Sequence, residues 1–265
     1  MSIKLIALDL DDTLLMPDCT VPDDVAETLR KAAAKGVKVV IATGRIYPSA
    51  ISYAELLGSD CPVVCYNGSV IRRPGHPADF AAEIKPDLIR RVAAFCHRES
   101  LYLQLYADDR LAVEKVVEET RIDPDYHKAG AEELGDFLTA ALKPTPKMLI
   151  VNTPQRLAEV RPALEVAFGG ELHFATSKDY LLEMMPKGIS KAKTLAICAE
   201  SYGILPEECM VCGDNTNDLE MVSWAGLGVS VANGVPALKA VADYVAEQER
   251  SYGVKEAVEK FVLTD

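Results

Sequence analysis

Short apolar segments alternate with amphipathic ones along much of this chain of 265 residues. Residues 3–9 and 37–42 are almost continuously apolar, which is typical of strands buried on both faces of a parallel sheet. Residues 22–35 carry a proline and two aspartates at their start and are followed by a glycine, a pattern that favours a helix. The alternation predicts an α/β fold in which helices cover both faces of a parallel sheet.

The alternation is interrupted in the middle third of the chain and resumes near residue 190. Residues 72–84 are expected to be a connecting loop, because they are rich in turn-forming residues. The elements expected elsewhere are helices over 47–57, 86–98, 155–168, 190–202, 215–224, 236–241 and 254–262, and strands over 62–66, 101–106, 147–152, 171–175, 180–185, 209–213, 227–231 and 244–245, with a charged helix or strand–helix mixture over 109–121. The middle third is therefore expected to be an inserted α+β unit.

Charge and composition exclude several classes of protein. The net charge of −12 and pI of about 4.9 argue against nucleic acid or an anionic membrane as the main partner. No apolar run approaches the roughly 20 residues of a membrane span, and the first residues lack the features of a signal peptide. We therefore expect a cytoplasmic protein with no membrane contact and no obligate protein partner.

The seven cysteines are expected to be free thiols, because their number is odd and no secretion signal precedes them. Cys209 and Cys212 have the spacing of a redox motif or half a zinc site. They lie in an expected strand, however, where residues three apart point to opposite faces, and no second such pair exists. We interpret them as structural.

Four polar residues follow apolar strands directly: Asp9, Thr43, Asn67 and Asp214. Ligands of open parallel sheets bind at the carboxyl ends of the strands. The sequence therefore predicts a functional site at this edge of the sheet.

Carboxylates are crowded at two of these strand ends. Asp9 and Asp11 belong to one group, which also contains Asp12, and Asp214 and Asp218 form the other, one helical turn apart. Oxygen ligands favour a hard cation such as Mg²⁺. Each group alone is also compatible with an ordinary helix cap or loop.

Two further segments suit a phosphate group. Thr43-Gly44-Arg45 offers a hydroxyl and a backbone N–H at a turn, and Lys191 could neutralise phosphoryl charge. Alone, the first could be an ordinary turn and the lysine an ordinary solvated side chain. In combination the four segments contain what phosphoryl transfer requires.

The segments Asp9-Leu-Asp-Asp-Thr-Leu14, Ala42-Thr-Gly-Arg45, Gly188-Ile-Ser-Lys191 and Gly213-Asp-Asn-Thr-Asn-Asp218 resemble the four motifs of the haloacid dehalogenase superfamily, most closely its Cof-type hydrolases. The resemblance implies a Rossmann-like core over 1–83 and 186–265. It also implies an α/β cap over 84–185 that sets substrate specificity. Asp12 departs from the usual glycine of this subgroup, which could alter metal affinity.

The resemblance also implies a function and residue roles. Asp9 would be the nucleophile, Asp11 the general acid and base, and Lys191 the charge-balancing cation. Thr43, Gly44, Arg45, Asn67 and Asn217 would bind phosphate or substrate. Mg²⁺ would be held by Asp9, the Asp11 backbone carbonyl and Asp214, with Asp218 acting through water or orienting Lys191.

The implied activity is that of a magnesium-dependent phosphatase of small phosphorylated metabolites, mainly sugar phosphates. A phosphomutase resembling phosphomannomutase and a non-catalytic module that binds phosphorylated ligands are the alternatives.

Overall fold

The computed structural model describes residues 2–58 and 60–264, so the ends of the predicted core, Met1 and Asp265, lie outside the described residues. The chain forms two compact units. The first, called the core unit here, comprises the residues up to Gly44, Ala50–Phe80 and the residues from Ser190 onward. The second, the cap unit, comprises Arg45–Ser49 and Ala81–Ile189. The two main boundaries between the units therefore lie at 80/81 and 189/190, a few residues from the expected 83/84 and 185/186.

The core unit is built on an eight-stranded sheet with the order β14-β13-β12-β1-β2-β3-β4-β5. The strands are β1 (Leu5–Leu8), β2 (Lys38–Ala42), β3 (Val63–Cys65), β4 (Val70–Arg72), β5 (Ala78–Ala81), β12 (Cys209–Gly213), β13 (Leu227–Ser230) and β14 (Tyr244–Val245). From β14 to β3 neighbouring strands are parallel. The predicted α/β fold with a parallel sheet is confirmed.

Helices surround this sheet: α1 (Asp23–Ala34), α2 (Tyr47–Leu57), α7 (Lys191–Ser201), α8 (Leu219–Trp224), α9 (Pro236–Lys239) and α10 (Arg250–Val258). The first residues of α2 belong to the cap unit. Apolar side chains of α7 and α8, such as Leu195 and Met221, pack with Leu5 and Val211 of the sheet in one buried cluster. Burial of this kind contributes about 25 cal/mol per Å² of apolar surface.

The order of the strands determines where the polar residues meet. Strands β12, β1, β2 and β3 are consecutive neighbours and run in the same direction. Their carboxyl ends therefore lie along one edge of the sheet. The residues that follow them, including Asp214, Asp9, Thr43 and Asn67, emerge at that edge.

The cap unit contains a six-stranded sheet with the order β10-β11-β9-β6-β7-β8. The strands are β6 (Tyr102–Ala107), β7 (Arg110–Val113), β8 (Ala131–Glu133), β9 (Met148–Val151), β10 (Leu172–Ala175) and β11 (Leu181–Pro186), and the helices are α3 (Pro86–Arg98), α4 (Glu118–Ile122), α5 (Tyr126–Ala129) and α6 (Pro154–Phe168). Leu103, Ile150 and Met184 join Phe95 of α3 and Leu164 of α6 in one apolar core. The two long helices therefore cover the same face of the sheet.

A buried ion pair lies beside this sheet, where Glu183 alternates in β11 with the core residues Leu182 and Met184. Lys147 donates to Glu183 Oε1 at 3.0 Å, and its ammonium lies 4.5 Å from the centre of the Tyr106 ring. Nearby, the Asp125 carboxylate accepts a hydrogen bond from the backbone N–H of Ile46 at 3.0 Å. This bond ties the segment Arg45–Ser49 to the rest of the cap unit.

Several predicted elements need correction. Residues 72–84 were expected to be a loop, but β4 and β5 complete the sheet there; the turn-forming residues lie between the two strands. The helix expected over 254–262 begins at Arg250. The region 109–121 resolves into β7 and α4, and the helix expected over 215–224 begins with a separate turn at Thr216–Asp218.

None of the seven cysteines, all of which lie among the described residues, forms a disulfide, and every one except Cys19 is buried. Cys209 and Cys212 lie in β12, and burial raises the pKa of Cys212 to about 12. A thiol with so high a pKa is a poor nucleophile at neutral pH. Among the described residues, no helix is long and apolar enough to cross a membrane.

Gly68 marks a close approach between two parts of the core unit. Its φ is +104°, and a Cβ placed there would lie 2.4 Å from the backbone oxygen of Ser190. We expect Gly68→Ala to lower the free energy of unfolding by about 2–4 kcal/mol, because backbone strain and steric overlap add. Chemical denaturation would measure the loss.

Gly36 provides the matched control. Its φ is +92°, but a Cβ there would meet nothing within 4 Å. Gly36→Ala should therefore cost only the conformational penalty of about 1–2 kcal/mol. Equal losses in the two variants would contradict a role for the contact with Ser190.

Candidate active site

Three carboxylates converge where β1 and β12 end. Asp9 follows β1, Asp214 follows β12, and Asp218 lies four residues further on. One ligand oxygen from each lies within 4.8 Å of the others, and all three residues are buried. Such crowding is unfavourable unless a cation or a proton compensates the charge.

The ammonium group of Lys191 supplies part of that compensation. Its Nζ atom donates to Asp9 Oδ1 at 2.6 Å and to Asp218 Oδ1 at 2.9 Å. Lys191 is 2% exposed and is the first residue of α7, where the hydroxyl of Ser190 caps the helix. Lys187, by contrast, is exposed and donates to the backbone carbonyl of Gly169 in the cap unit.

The titration of these groups reflects the charge imbalance. Burial raises the pKa of Asp9 well above its usual range; Lys191 opposes that rise, and Asp218, Asp214 and Asp11 add to it. Burial and then Asp218 raise the pKa of Asp214 to about 7. Burial lowers the pKa of Lys191, but the charges of Asp218 and Asp9 outweigh it and leave that pKa raised. Lys191 is therefore held in its charged form, and burial together with the neighbouring carboxylates favours the protonated forms of Asp9 and Asp214.

Hydrogen bonds hold the two acidic loops in place. Thr13 Oγ1 donates to Asp214 Oδ1 at 2.9 Å. Asp218 Oδ2 accepts from the backbone N–H groups of Asp214 at 3.1 Å and Asn215 at 3.3 Å. These bonds hold the Asp218 carboxylate beside the ammonium group of Lys191. Thr13 is a site residue that sequence reasoning missed, although it lies inside the first acidic segment.

A second group of predicted residues lies at the ends of β2 and β3. The backbone N–H of Asn67 donates to the carbonyl of Thr43 at 3.0 Å, and both residues are buried. A Cβ on Gly44 would lie 2.9 Å from Asn67 Oδ1, so a larger residue there would require the Asn67 side chain to shift. Thr194 of α7 donates to the carbonyl of Gly68 at 2.6 Å, which joins this turn to the helix that carries Lys191.

Three other predicted residues, Asn217, Asp11 and Arg45, do not belong to the acid cluster. Asn217 is half-buried, and its Oδ1 atom accepts no hydrogen bond from the described residues. Asp11 lies in the loop after β1, where its charge acts on Asp9, but its carboxylate is outside the three-acid cluster. Arg45 is buried and belongs to the cap unit.

The family model for haloacid dehalogenase-like hydrolases matches residues 6–258, which include all four motif segments and the acid cluster. The chain belongs to this family. The resemblance seen in the sequence is thereby confirmed, as is the expectation of a hydrolytic enzyme.

Relatives of this hydrolase are similar over nearly its whole length. A protein of Streptococcus pyogenes serotype M6, named as a candidate phosphatase, is 30% identical, and the match covers 99% of this chain and 100% of the relative. The phosphatase YitU of Bacillus subtilis is 26% identical over 97% of each chain. Among solved structures, a haloacid dehalogenase-like hydrolase of Bacteroides thetaiotaomicron has a TM-score of 0.87 at 28% identity, covering 98% of this chain and 99% of that one. The enzyme is thus a phosphatase-type member of its family.

The central position of Lys191 yields a prediction about stability. Without divalent cations at about pH 8, Lys191→Met should lower the free energy of unfolding by about 3–5 kcal/mol, because it leaves buried carboxylates without their cation. The loss should be smaller at about pH 5, where Asp9 can take up a proton in the folded state. Urea denaturation at the two pH values would measure both effects.

Lys193→Met is the matched control, because Lys193 is exposed on the same helix. It should change the stability by less than about 0.5 kcal/mol. Equal losses in the two variants, or a Lys191→Met loss that does not depend on pH, would contradict the assigned electrostatics.

Proposed function

We propose that this hydrolase is a magnesium-dependent phosphatase of small phosphorylated metabolites, with sugar phosphates as the first class to test. One observation carries the proposal: Asp9 shares a buried lysine with Asp218 and lies in a cluster with Asp214. Names of relatives support the substrate class: YitU is a 5-amino-6-(5-phospho-D-ribitylamino)uracil phosphatase, and a Cronobacter sakazakii relative, 27% identical over 89% of this chain and 87% of its own, is an HMP-PP phosphatase. The net charge of −12 favours such ligands over nucleic acid or membrane, and a cytoplasmic location remains part of the proposal.

The acid cluster fits a magnesium ion. Asp9, Asp214 and Asp218 bring three carboxylates together against a single lysine, so the cluster carries excess negative charge. Oxygen ligands of this kind suit a small, hard dication. Asp9, Asp214 and the backbone carbonyl of Asp11 would hold it, with Asp218 acting through water or Lys191. When bound, the ion would offset the negative charge of the phosphoryl group and of the acids.

The residues at the sheet edge account for the chemical steps. The Asp9 carboxylate attacks phosphorus, and the bond from phosphorus to the leaving oxygen breaks, which gives an aspartyl-phosphate. Asp11 donates a proton to the leaving alkoxide and then accepts one from the water that hydrolyses the intermediate. Free phosphate and the dephosphorylated alcohol are the products, and Asp9 is restored.

Other residues would hold the phosphoryl group during transfer. The Thr43 hydroxyl, the Gly44 backbone N–H and the Asn217 side chain can donate hydrogen bonds to its oxygens, and Lys191 balances its charge. Arg45 and Asn67 would contact the substrate. Residues of the cap unit would then distinguish one leaving group from another.

Asp9→Asn tests the nucleophile. The substitution keeps an acceptor for Lys191 but removes the attacking carboxylate, so hydrolysis of p-nitrophenyl phosphate should fall by at least about a thousandfold. The thermal unfolding curve should stay close to that of the wild type. Asp23→Asn, at an exposed residue of α1, should retain wild-type turnover. Wild-type rates in Asp9→Asn would refute the assignment.

The titration of Asp214 predicts how magnesium binding depends on pH. Because the pKa of Asp214 is raised in the folded protein, the metal-free fold binds a proton there that the unfolded chain has lost. This contribution to stability is complete below the unfolded pKa and is lost as pH rises through about 7. Magnesium must displace the same proton, so its apparent affinity should be about tenfold higher at pH 8 than at pH 6.

Magnesium titrations followed by the thermal unfolding temperature would measure this change. The stabilisation by Mg²⁺ should be larger at pH 8 than at pH 6, and Asp214→Asn should abolish the difference. A wild-type response that is identical at the two pH values would contradict metal binding at Asp214.

A further inference from the structure

Asp12 closes a ring of hydrogen bonds with two residues far away in the sequence. Its backbone carbonyl accepts from Asn233 Nδ2 at 2.7 Å, and Asn233 Oδ1 accepts from the backbone N–H of Arg250 at 2.9 Å. The guanidinium of Arg250 donates to Asp12 Oδ1 at 3.2 Å, and this bond closes the ring. Three segments of the core unit are joined in this ring.

The ring fixes its own geometry. A backbone carbonyl can only accept and a backbone N–H can only donate, so one orientation of the Asn233 amide satisfies both neighbours. Asp12 and Arg250 both have left-handed backbone conformations, with φ of +61° and +50°. Such conformations are unfavourable for residues with a Cβ and persist only where the surroundings enforce them. The ring provides that enforcement for Asp12.

The segment that carries Asn233 supports both acidic loops. Two residues later, the backbone N–H of Val235 donates to the carbonyl of Asp214 at 2.8 Å. The start of α10 is tied to the first loop in the same way, because Ser251 Oγ donates to the carbonyl of Leu14. The loops after β1 and β12 are therefore braced by two C-terminal segments as well as by Thr13.

We infer that Asn233 and Arg250 are positioning residues for the reaction, because through Asp12 they fix the peptide that follows Asp11. This inference rests on the proposed function, in which Asp11 transfers protons and its carbonyl binds the metal. Asp12 occupies the left-handed position, where a glycine would need no support, and its carboxylate adds to the negative charge of the site. The contact between the Arg250 guanidinium and the Asp12 carboxylate compensates that charge and also holds Asp12 in its left-handed conformation.

A double-mutant cycle tests the coupling. Asp12→Asn removes the charge but tolerates the left-handed conformation, and Arg250→Gln removes the guanidinium. With saturating Mg²⁺ and p-nitrophenyl phosphate, each variant should lower kcat about fivefold and change KM less than about twofold. The double variant should be no slower than either single variant, because the ion pair between Asp12 and Arg250 is lost in all three.

Glu249→Gln is the matched control. Glu249 pairs with the other terminal nitrogen of Arg250 at 3.3 Å and takes no part in the ring. This variant should retain the wild-type kcat. Multiplicative losses of kcat in the double variant, or a loss in Glu249→Gln equal to that in Arg250→Gln, would overturn the inference.

A second measurement covers the case in which Arg250→Gln fails to fold. Asn233→Asp keeps the acceptor for the backbone N–H of Arg250. It replaces the donor to Asp12 with a carboxylate oxygen, which repels the carbonyl oxygen of Asp12. It should lower kcat about fivefold with little change in KM; an unchanged kcat would overturn the inference. If the wild type releases phosphate and the cycle shows no coupling, only the inference fails. If the wild type releases none, the proposed function fails and takes the inference with it.

Discussion

The buried ammonium group of Lys191 is the interaction on which the rest of the site depends. It joins three separate parts of the core unit: the loop after β1 through Asp9, the turn after β12 through Asp218, and the start of α7. A buried lysine is costly unless carboxylates surround it, and buried carboxylates are costly without a cation. The lysine and the carboxylates therefore lower the free-energy cost of burying one another. One lysine among three acids still leaves negative charge uncompensated, which either a proton or a further cation can offset.

Much of the fold could be predicted because parallel strands are buried on both faces and leave long apolar runs. The neighbouring strands β4 and β5 were missed for the opposite reason. Most residues of β5 are exposed at the edge of the sheet, so its sequence shows no apolar pattern. The start of α10 was missed because Ser251 and Gly253 are buried there by close packing. A Cβ on Gly253 would lie 2.4 Å from the carbonyl oxygen of Gln248, a steric reason that no periodicity expresses.

The candidate site was predictable to the extent that its residues follow strands directly. Asp9 and Asp214 could be identified as neighbours because β1 and β12 pair in parallel. The hydrogen-bond partners of Asp9 and Asp214 could not be predicted, since they depend on distances of a few ångströms between segments up to 201 residues apart. The ring around Asp12 was beyond reach for the same reason: Asn233 and Arg250 are 221 and 238 residues away from it. Asp12 stood out only as an unusual residue in its motif, and the structure supplies the partners that accommodate it.

The bond between Asp125 and the backbone of Ile46 affects how the cap unit can be exchanged. Arg45–Ser49 follows the turn Thr43-Gly44 of the core unit in the chain, yet it belongs to the cap unit, to which this bond ties it. A chimaera that transplanted only residues 81–189 from a relative would leave the backbone N–H of Ile46 without its acceptor unless the relative supplies a carboxylate at the position of Asp125. The pentapeptide is therefore part of the interchangeable module. Recombination between relatives, in the laboratory or in evolution, should succeed more often when the two pieces are inherited together.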